Sequence, residues 1–183
     1  MEPAAGSLKT ARLWLRRWQE RDRDPFFRLN ADSRVMRFFP SMLTRAESDA
    51  GVDRILAHFD RHGFGLYAVE LRETGDFAGF IGLNVPSFET HFTPCVEIGW
   101  RLAAEFWNRG FATEGARAVL RHAFGTLGLA EVVSFTVPSN LPSRRVMEKL
   151  GMIHDPAGDF DHPRISEGHP LRRHVLYRIS SPS

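Results

Sequence analysis

Two polar features in the middle of the chain could do chemistry. Trp-Asn-Arg-Gly-Phe-Ala-Thr-Glu over residues 107–114 follows a strand-like apolar run and precedes residues with helical spacing, so it reads as a tight turn entering a helix. The first N–H groups of a helix have no internal partner and the helix dipole adds partial positive charge there, so Asn108, Arg109, Gly110, Phe111, Ala112 and Thr113 frame a place for an anion, above all a phosphate. Gly110 lets the backbone come close to it, Ala112 leaves the first turn uncrowded, and Arg109 adds charge. Upstream, Glu97 interrupts the run Cys-Val-Glu-Ile-Gly-Trp-Arg-Leu of residues 95–102. A carboxylate in such a strand is either hydrogen-bonded or functional, because burying it otherwise is costly. Alternation sets Glu97 on one face with Cys95 and Gly99, and Val96, Ile98 and Trp100 on the other.

The elements that must position these groups follow from the pattern around them. Residues 1–10 read as a loose tail leading into a strand over 11–18, where Leu13 and Leu15 alternate with Arg12, Trp14 and Arg16. Residues 22–30 and 33–38 read as short helical pieces. Thr44-Arg-Ala-Glu47 is a capping box opening a helix that runs to about residue 61, with Val52, Ile55, Leu56 and Phe59 on its apolar stripe. Residues 66–71 and 77–83 form a hairpin, 84–94 a proline-containing loop, and 95–102 a strand. The helix after the turn keeps Ala116, Val119, Leu120 and Ala123 on one side, with Glu114 and Arg117 paired on the wet side. A strand over 131–137, a helix over 141–150 capped from residues 138–140, a polar segment over 155–172 and a strand over 174–179 complete the chain.

Composition narrows the class. The 183 residues fit a single domain, and 43% apolar with 25% charged residues is ordinary globular usage. The 24 basic and 22 acidic residues are interleaved, which argues against nucleic acid as the partner. No apolar run is long enough to span a membrane and the start lacks the order of a secretion signal, so a cytoplasmic protein is expected. The one cysteine, Cys95, fits a reducing compartment and stands beside no recognisable base. The histidines of the late segment, His154, His162, His169 and His174, match no zinc spacing, and no metal is expected.

In order and spacing, the strand Ala-Arg-Leu-Trp-Leu-Arg, the acidic strand Val-Glu-Ile-Gly-Trp, the turn Trp-Asn-Arg-Gly-Phe-Ala-Thr-Glu and the closing Asn-Leu-Pro-Ser-Arg-Arg-Val-Met-Glu-Lys-Leu-Gly-Met resemble the GNAT acetyltransferase superfamily, and within it the ribosomal-protein-alanine (RimJ/RimL-like) branch. The resemblance covers nearly the whole chain. It implies an α+β fold with a mixed, mainly antiparallel sheet splayed into a V, flanked by helices, with acetyl-CoA entering between two central strands. On that implication the backbone of Ile98, Gly99, Trp100 and Leu102 pairs with the pantetheine arm and the N–H groups of Arg109 to Thr113 hold the pyrophosphate. Asn140 bonds the pantetheine amide, and Ser143 faces the thioester sulfur.

Two departures bear on the chemistry. Asn108 stands where the branch often has glycine, and Asn tolerates positive φ better than most residues. Met147 stands where the superfamily commonly has a tyrosine that protonates the leaving thiolate, a task methionine cannot perform; the branch often assigns it to a serine at the position of Ser143. Transfer to an amine needs that amine deprotonated, and Glu97 is the candidate base, against a carboxylate that is merely bonded to its neighbours. The expected function is direct acetyl transfer from acetyl-CoA to a primary amine, either a protein N-terminus or a small molecule. The rival is a CoA-binding sensor of the same fold with impaired catalysis. Asp159, Asp161, Arg164, Glu167, Arg172 and Arg173 of the late segment read as a charged surface loop that could shape an acceptor pocket, and nothing in the chain decides for or against a homodimer.

Overall fold

The computed structural model describes residues 6–182. Residues 1–5 of the expected tail lie outside the described residues, but its end is ordered. Leu8–Lys9 form β1, paired antiparallel with β2 (Leu13–Arg16), whose Leu13 and Leu15 are fully buried. A 3-10 turn (Glu20–Asp22) leads into α1 (Arg23–Asn30), then α2 (Ser33–Met36) and α3 (Arg45–His62). The capping box forms as expected: Thr44 Oγ1 accepts from Glu47 N at 3.3 Å and Glu47 Oε2 accepts from Thr44 N at 2.8 Å. The hairpin β3 (Leu66–Leu71) and β4 (Phe77–Asn84) is followed by β5 (Glu97–Leu102), α4 (Phe111–Gly125), β6 (Glu131–Thr136) and α5 (Leu141–Lys149). Cys95 and Val96 lie outside β5, which starts later than the apolar run suggested.

The late segment is not a plain loop. After β7 (Ile153–His154) it contains a 3-10 turn (Pro156–Gly158) and β8 (Phe160–Asp161), and β8 pairs with β9 (Arg173–Ser180). Asp159 Oδ1 accepts from Leu176 N and lies 2.9 Å from His154 Nε2, while Asp155 pairs with Arg178 at 2.7 Å, so short acidic side chains strap the segment onto β9.

The strands run in the order β1-β2-β3-β4-β5-β6-β9-β7. All neighbours are antiparallel except β5 and β6. β4 and β5 stay in register from Gly79↔Leu102 to Asn84↔Glu97, whereas β5 and β6 meet only at Glu97↔Val133 and then part. That parting is the V.

Pairing assigns the two faces. Ile81 pairs with Trp100, so Ile98, Trp100 and Leu102 share the face on which α4 lies; Gly115 allows the close approach, since a Cβ there would run into Ile81. Phe80 pairs with Arg101 and Asn84 with Glu97, so Glu97, Gly99 and Arg101 share the opposite face, where α1 packs through Phe26 on Phe80. Arg16 departs from its expected outward position: it is only 6% exposed and its fork binds Asp22 at 2.7 and 2.9 Å and Glu70 at 2.9 Å, tying β2 to β3 and to the start of α1. Among the described residues no helix is long and apolar enough to cross a membrane.

Candidate active site

The turn before α4 is built from two residues in the left-handed region. Asn108 has φ 59° and Gly110 φ 80°, so Asn accepts here the conformation for which glycine is the usual choice. Gly110 is the N-cap residue: its carbonyl accepts from Glu114 N at 3.0 Å, and the N–H groups of Phe111, Ala112 and Thr113 come earlier than any intrahelical partner could reach. Beside this entrance runs a groove of about 530 Å³ whose cations are Arg12, Arg117, Arg121 and Lys149. Glu114 also borders it, but not in the expected pair with Arg117. Thr10 Oγ1 (2.6 Å), Arg12 N (2.9 Å) and Arg12 Nε (2.7 Å) all donate to the Glu114 carboxylate. Against burial, which raises it, these bonds hold Glu114 below the usual carboxylate range. Arg117 instead donates to the Lys149 carbonyl at 3.1 Å. The entrance thus presents N–H groups and cations, with the Glu114 carboxylate answered from the turn between β1 and β2.

The open edge of β5 is narrower than residues 98–102 suggested. The Ile98 carbonyl accepts from Ser134 Oγ at 2.9 Å, and the Leu102 carbonyl from the Trp107 indole at 2.8 Å. Alternation puts the Trp100 N–H and C=O on the same edge between them, beyond the last β5–β6 pair. Ile98 and Leu102 are buried as side chains, while Gly99 and Trp100 are partly exposed.

Asn140 and Ser143 stand at the start of α5. Asn140 Oδ1 accepts from Ser143 N at 3.3 Å and its Nδ2 donates to Thr136 Oγ1 at 2.9 Å, so the amide is engaged within the protein at both ends. Ser143 is half-buried. Met147 is 1% exposed and belongs to the core, as does Tyr67; the other tyrosine, Tyr177, accepts from Arg144 Nε at 3.1 Å. Among the hydroxyls brought together here, Ser143 is the one on the α5 entrance.

On the opposite face Glu97 leans along its strand, with Oε1 3.8 Å from where a Cβ on Gly99 would sit. Burial pushes its carboxyl up to about 7, against a hydrogen bond from the Asn84 side chain that lowers it. Cys95 is pushed up to about 11 by burial and by the Glu97 charge, which leaves it a thiol at neutral pH.

Two groups on this face escaped the sequence reading. Arg101 is a charge in the same apolar run as Glu97, and the argument applied to Glu97 would have found it. The second is an aromatic wall. Phe135, two residues beyond Val133 and on its face, contacts Phe160 (5.3 Å) and Phe88 (5.9 Å), and His162 stacks near Phe88 (4.7 Å) and His174 (5.1 Å). Burial and the neighbouring His174 bring His162 down to about 4, so this wall is uncharged near neutrality. It joins the 85–96 loop, β6 and the late segment, which no local pattern could have brought together. Of the charged residues expected to shape a pocket from that segment, Arg164 reaches across to Ser87 at 2.7 Å.

Comparison with known proteins bears on the family and the fold. Residues 12–153 match the family model described as the acetyltransferase (GNAT) domain. The chain is 38% identical over 135 residues to FsC-acetyl coenzyme A-N(2)-transacetylase of Aspergillus fumigatus, a match covering 66% of this chain and 55% of that protein, so it spans little more than half of that relative. It superposes on the crystal structure of an acetyltransferase from Agrobacterium tumefaciens with a TM-score of 0.78 at 28% identity, covering 99% of this chain and 98% of that one. RimL, a ribosomal alpha-N-protein acetyltransferase solved in complex with coenzyme A, shares the fold at a TM-score of 0.76 and 15% identity, covering 96% and 98% of the two chains.

Proposed function

Since the chain belongs to the GNAT acetyltransferase family, we propose that it moves an acetyl group from acetyl-CoA directly to a primary amine. The observation that carries this reading is the parting of β5 from β6 between a helix entrance with unpaired N–H groups on one face and the Glu97 carboxyl, raised by burial, on the other. In this reading the N–H groups of residues 109–113 and the nearby cations hold the pyrophosphate, and the Trp100 backbone takes the pantetheine arm as a strand would. Asn140 and Ser143 border the reacting end. Glu97 accepts the amine proton, directly or through a water; a free α-amine titrates at about 7.7–8.0, so a base near 7 suffices. Ser143 delivers a proton to the departing thiolate. The acceptor in this reading is a protein N-terminus, as in the RimJ/RimL-like branch, or a small amine.

Acetyl-CoA mixed with a panel of peptide N-termini, polyamines, amino acids and aminoglycosides is expected to release CoA only when an amine is present. Because the Cys95 thiol stays protonated, acetyl-CoA alone is expected to give no stoichiometric burst of CoA. A burst would replace direct transfer with a covalent route, and tight CoA binding with no release across the panel would overturn the enzymatic reading.

A further inference from the structure

Arg101 sits on the same face as Glu97 and carries a charge that no carboxylate among the described residues answers. Its Nη1 donates to Asn30 Oδ1 at 2.6 Å, but its Nε is buried without a hydrogen-bond partner, and no carboxylate among the described residues pairs with it. Arg16, the arginine buried in β2, is by contrast held by two carboxylates, while Arg101 is partly exposed. Asn30 is itself fully buried and fixed by Ser48 at 3.0 Å, so the guanidinium is held in place. Phe39 stacks on it at 4.0 Å and Phe80 lies at 5.4 Å. Stacking offsets only part of the cost of leaving a partly enclosed guanidinium without a counter-charge. Burial brings it down to about 10, so the charge persists at neutral pH.

We propose that Arg101 receives an anionic group of the acceptor, and that the acceptor is therefore an amine bearing a carboxylate or comparable anion at a distance from its nitrogen. This rests on the acetyl-transfer reading and names its substrate class. The strand sets the spacing: Glu97 and Arg101 are four residues apart, about 13 Å between Cα atoms, with both side chains standing off the same face. An amine at Glu97 and an anion at Arg101 are then about 10 Å apart, more than an α-amino acid spans. The ends of an eight-carbon amino acid fit, as does an N-terminal amine with an acidic side chain two residues on. The planar guanidinium of arginine suits a carboxylate, and with Nη1 held by Asn30 and Nε enclosed the free nitrogen is Nη2.

Matched acceptors test it: 8-aminooctanoate against octylamine, and Ala-Ala-Asp amide against Ala-Ala-Asn amide, by CoA release. The wild-type protein is expected to favour the acidic member of each pair about tenfold or more in kcat/KM, Arg101→Met to lose that preference, and Arg101→Lys to keep part of it. Equal use of both members by wild type, or a preference that survives Arg101→Met, overturns the proposal. So does an Arg101→Met defect confined to acetyl-CoA affinity, which would make a CoA phosphate the counter-ion. A second measurement stands apart from catalysis: calorimetric binding of N-acetyl-8-aminooctanoate to the CoA complex, expected to weaken by a similar factor in Arg101→Met. If that binding depends on Arg101 while no amine is acetylated, the anion site stands and the transfer reading falls. Acetylation without acid preference has the reverse meaning.

Discussion

Glu97 joins function to stability within one residue. Its carboxyl titrates near 7 because the folded chain disfavours its charge, so the group that can take a proton from an amine is also one that the fold holds at a cost. A carboxyl raised above its unfolded value contributes fully at low pH, and that contribution is lost as pH rises from the ordinary carboxylate range through about 7. Glu97→Gln is therefore expected to match wild type at pH 4 and to be the more stable protein at pH 8, by roughly 1–3 kcal/mol in denaturant unfolding. In the same variant kcat/KM should fall about a hundredfold and lose the ascending limb near pH 7. An unchanged pH–rate profile would remove Glu97 from the base role. Ser143→Ala is expected to slow turnover by about ten- to a hundredfold with acetyl-CoA affinity nearly intact, whereas a large loss of affinity would mark Ser143 as a cofactor contact. The positions of these two residues were legible because each depends on near neighbours: a carboxylate in an apolar strand, and a serine three residues past a capping Asn. Arg101 carried the same signal as Glu97, but what it faces, Asn30 and Phe39, is settled by packing between elements distant in the chain.

At the scale of elements, the proposed cofactor site makes the turn into α4 the place where backbone conformation governs binding. A Cβ on Gly110 would meet Arg12 at an ordinary 3.5 Å, so what a larger residue disturbs there is the φ of 80° rather than the space. Gly110→Val should raise the acetyl-CoA dissociation constant about tenfold with far-UV CD near wild type and melting lowered by roughly 2–10 °C, since forcing the left-handed region on such a residue costs roughly 1–3 kcal/mol. Unchanged affinity would show that the phosphate lies elsewhere. Capping boxes, turn glycines and helix entrances were readable because their partners lie within a few residues, as at Thr44 and Glu47. Glu114 shows where such reading stops. The local rule offers Arg117 one turn on, yet Thr10 and Arg12, more than a hundred residues away in sequence, supply a backbone N–H, a hydroxyl and a guanidinium together, and three aimed donors outcompete one flexible exposed arginine.

At the scale of the molecule, the parting of β5 and β6 rests on what each strand does elsewhere. β5 is committed along its length to β4 and β6 to β9, which leaves the one register pair at Glu97 and Val133, with the Ser134 to Ile98 hydrogen bond beside it, as the hinge of the V. No periodicity in the sequence reports that, because strand order and register depend on partners far along the chain; the family resemblance supplied it. The late segment was misread for a related reason: its short strand and acidic straps exist only against β9. The two faces of the V have a consequence for the order of events in the proposed turnover. The entrances of α4 and α5 open on one side of the sheet, and Glu97, Arg101 and the Phe135 wall on the other, so in the proposed reading each substrate has its own approach and neither stands in the other's path. Steady-state rates are then expected to give intersecting double-reciprocal lines, with CoA competing against acetyl-CoA and not against the amine. Parallel lines would require one product to leave before the second substrate enters, a sequence this two-sided cleft does not impose.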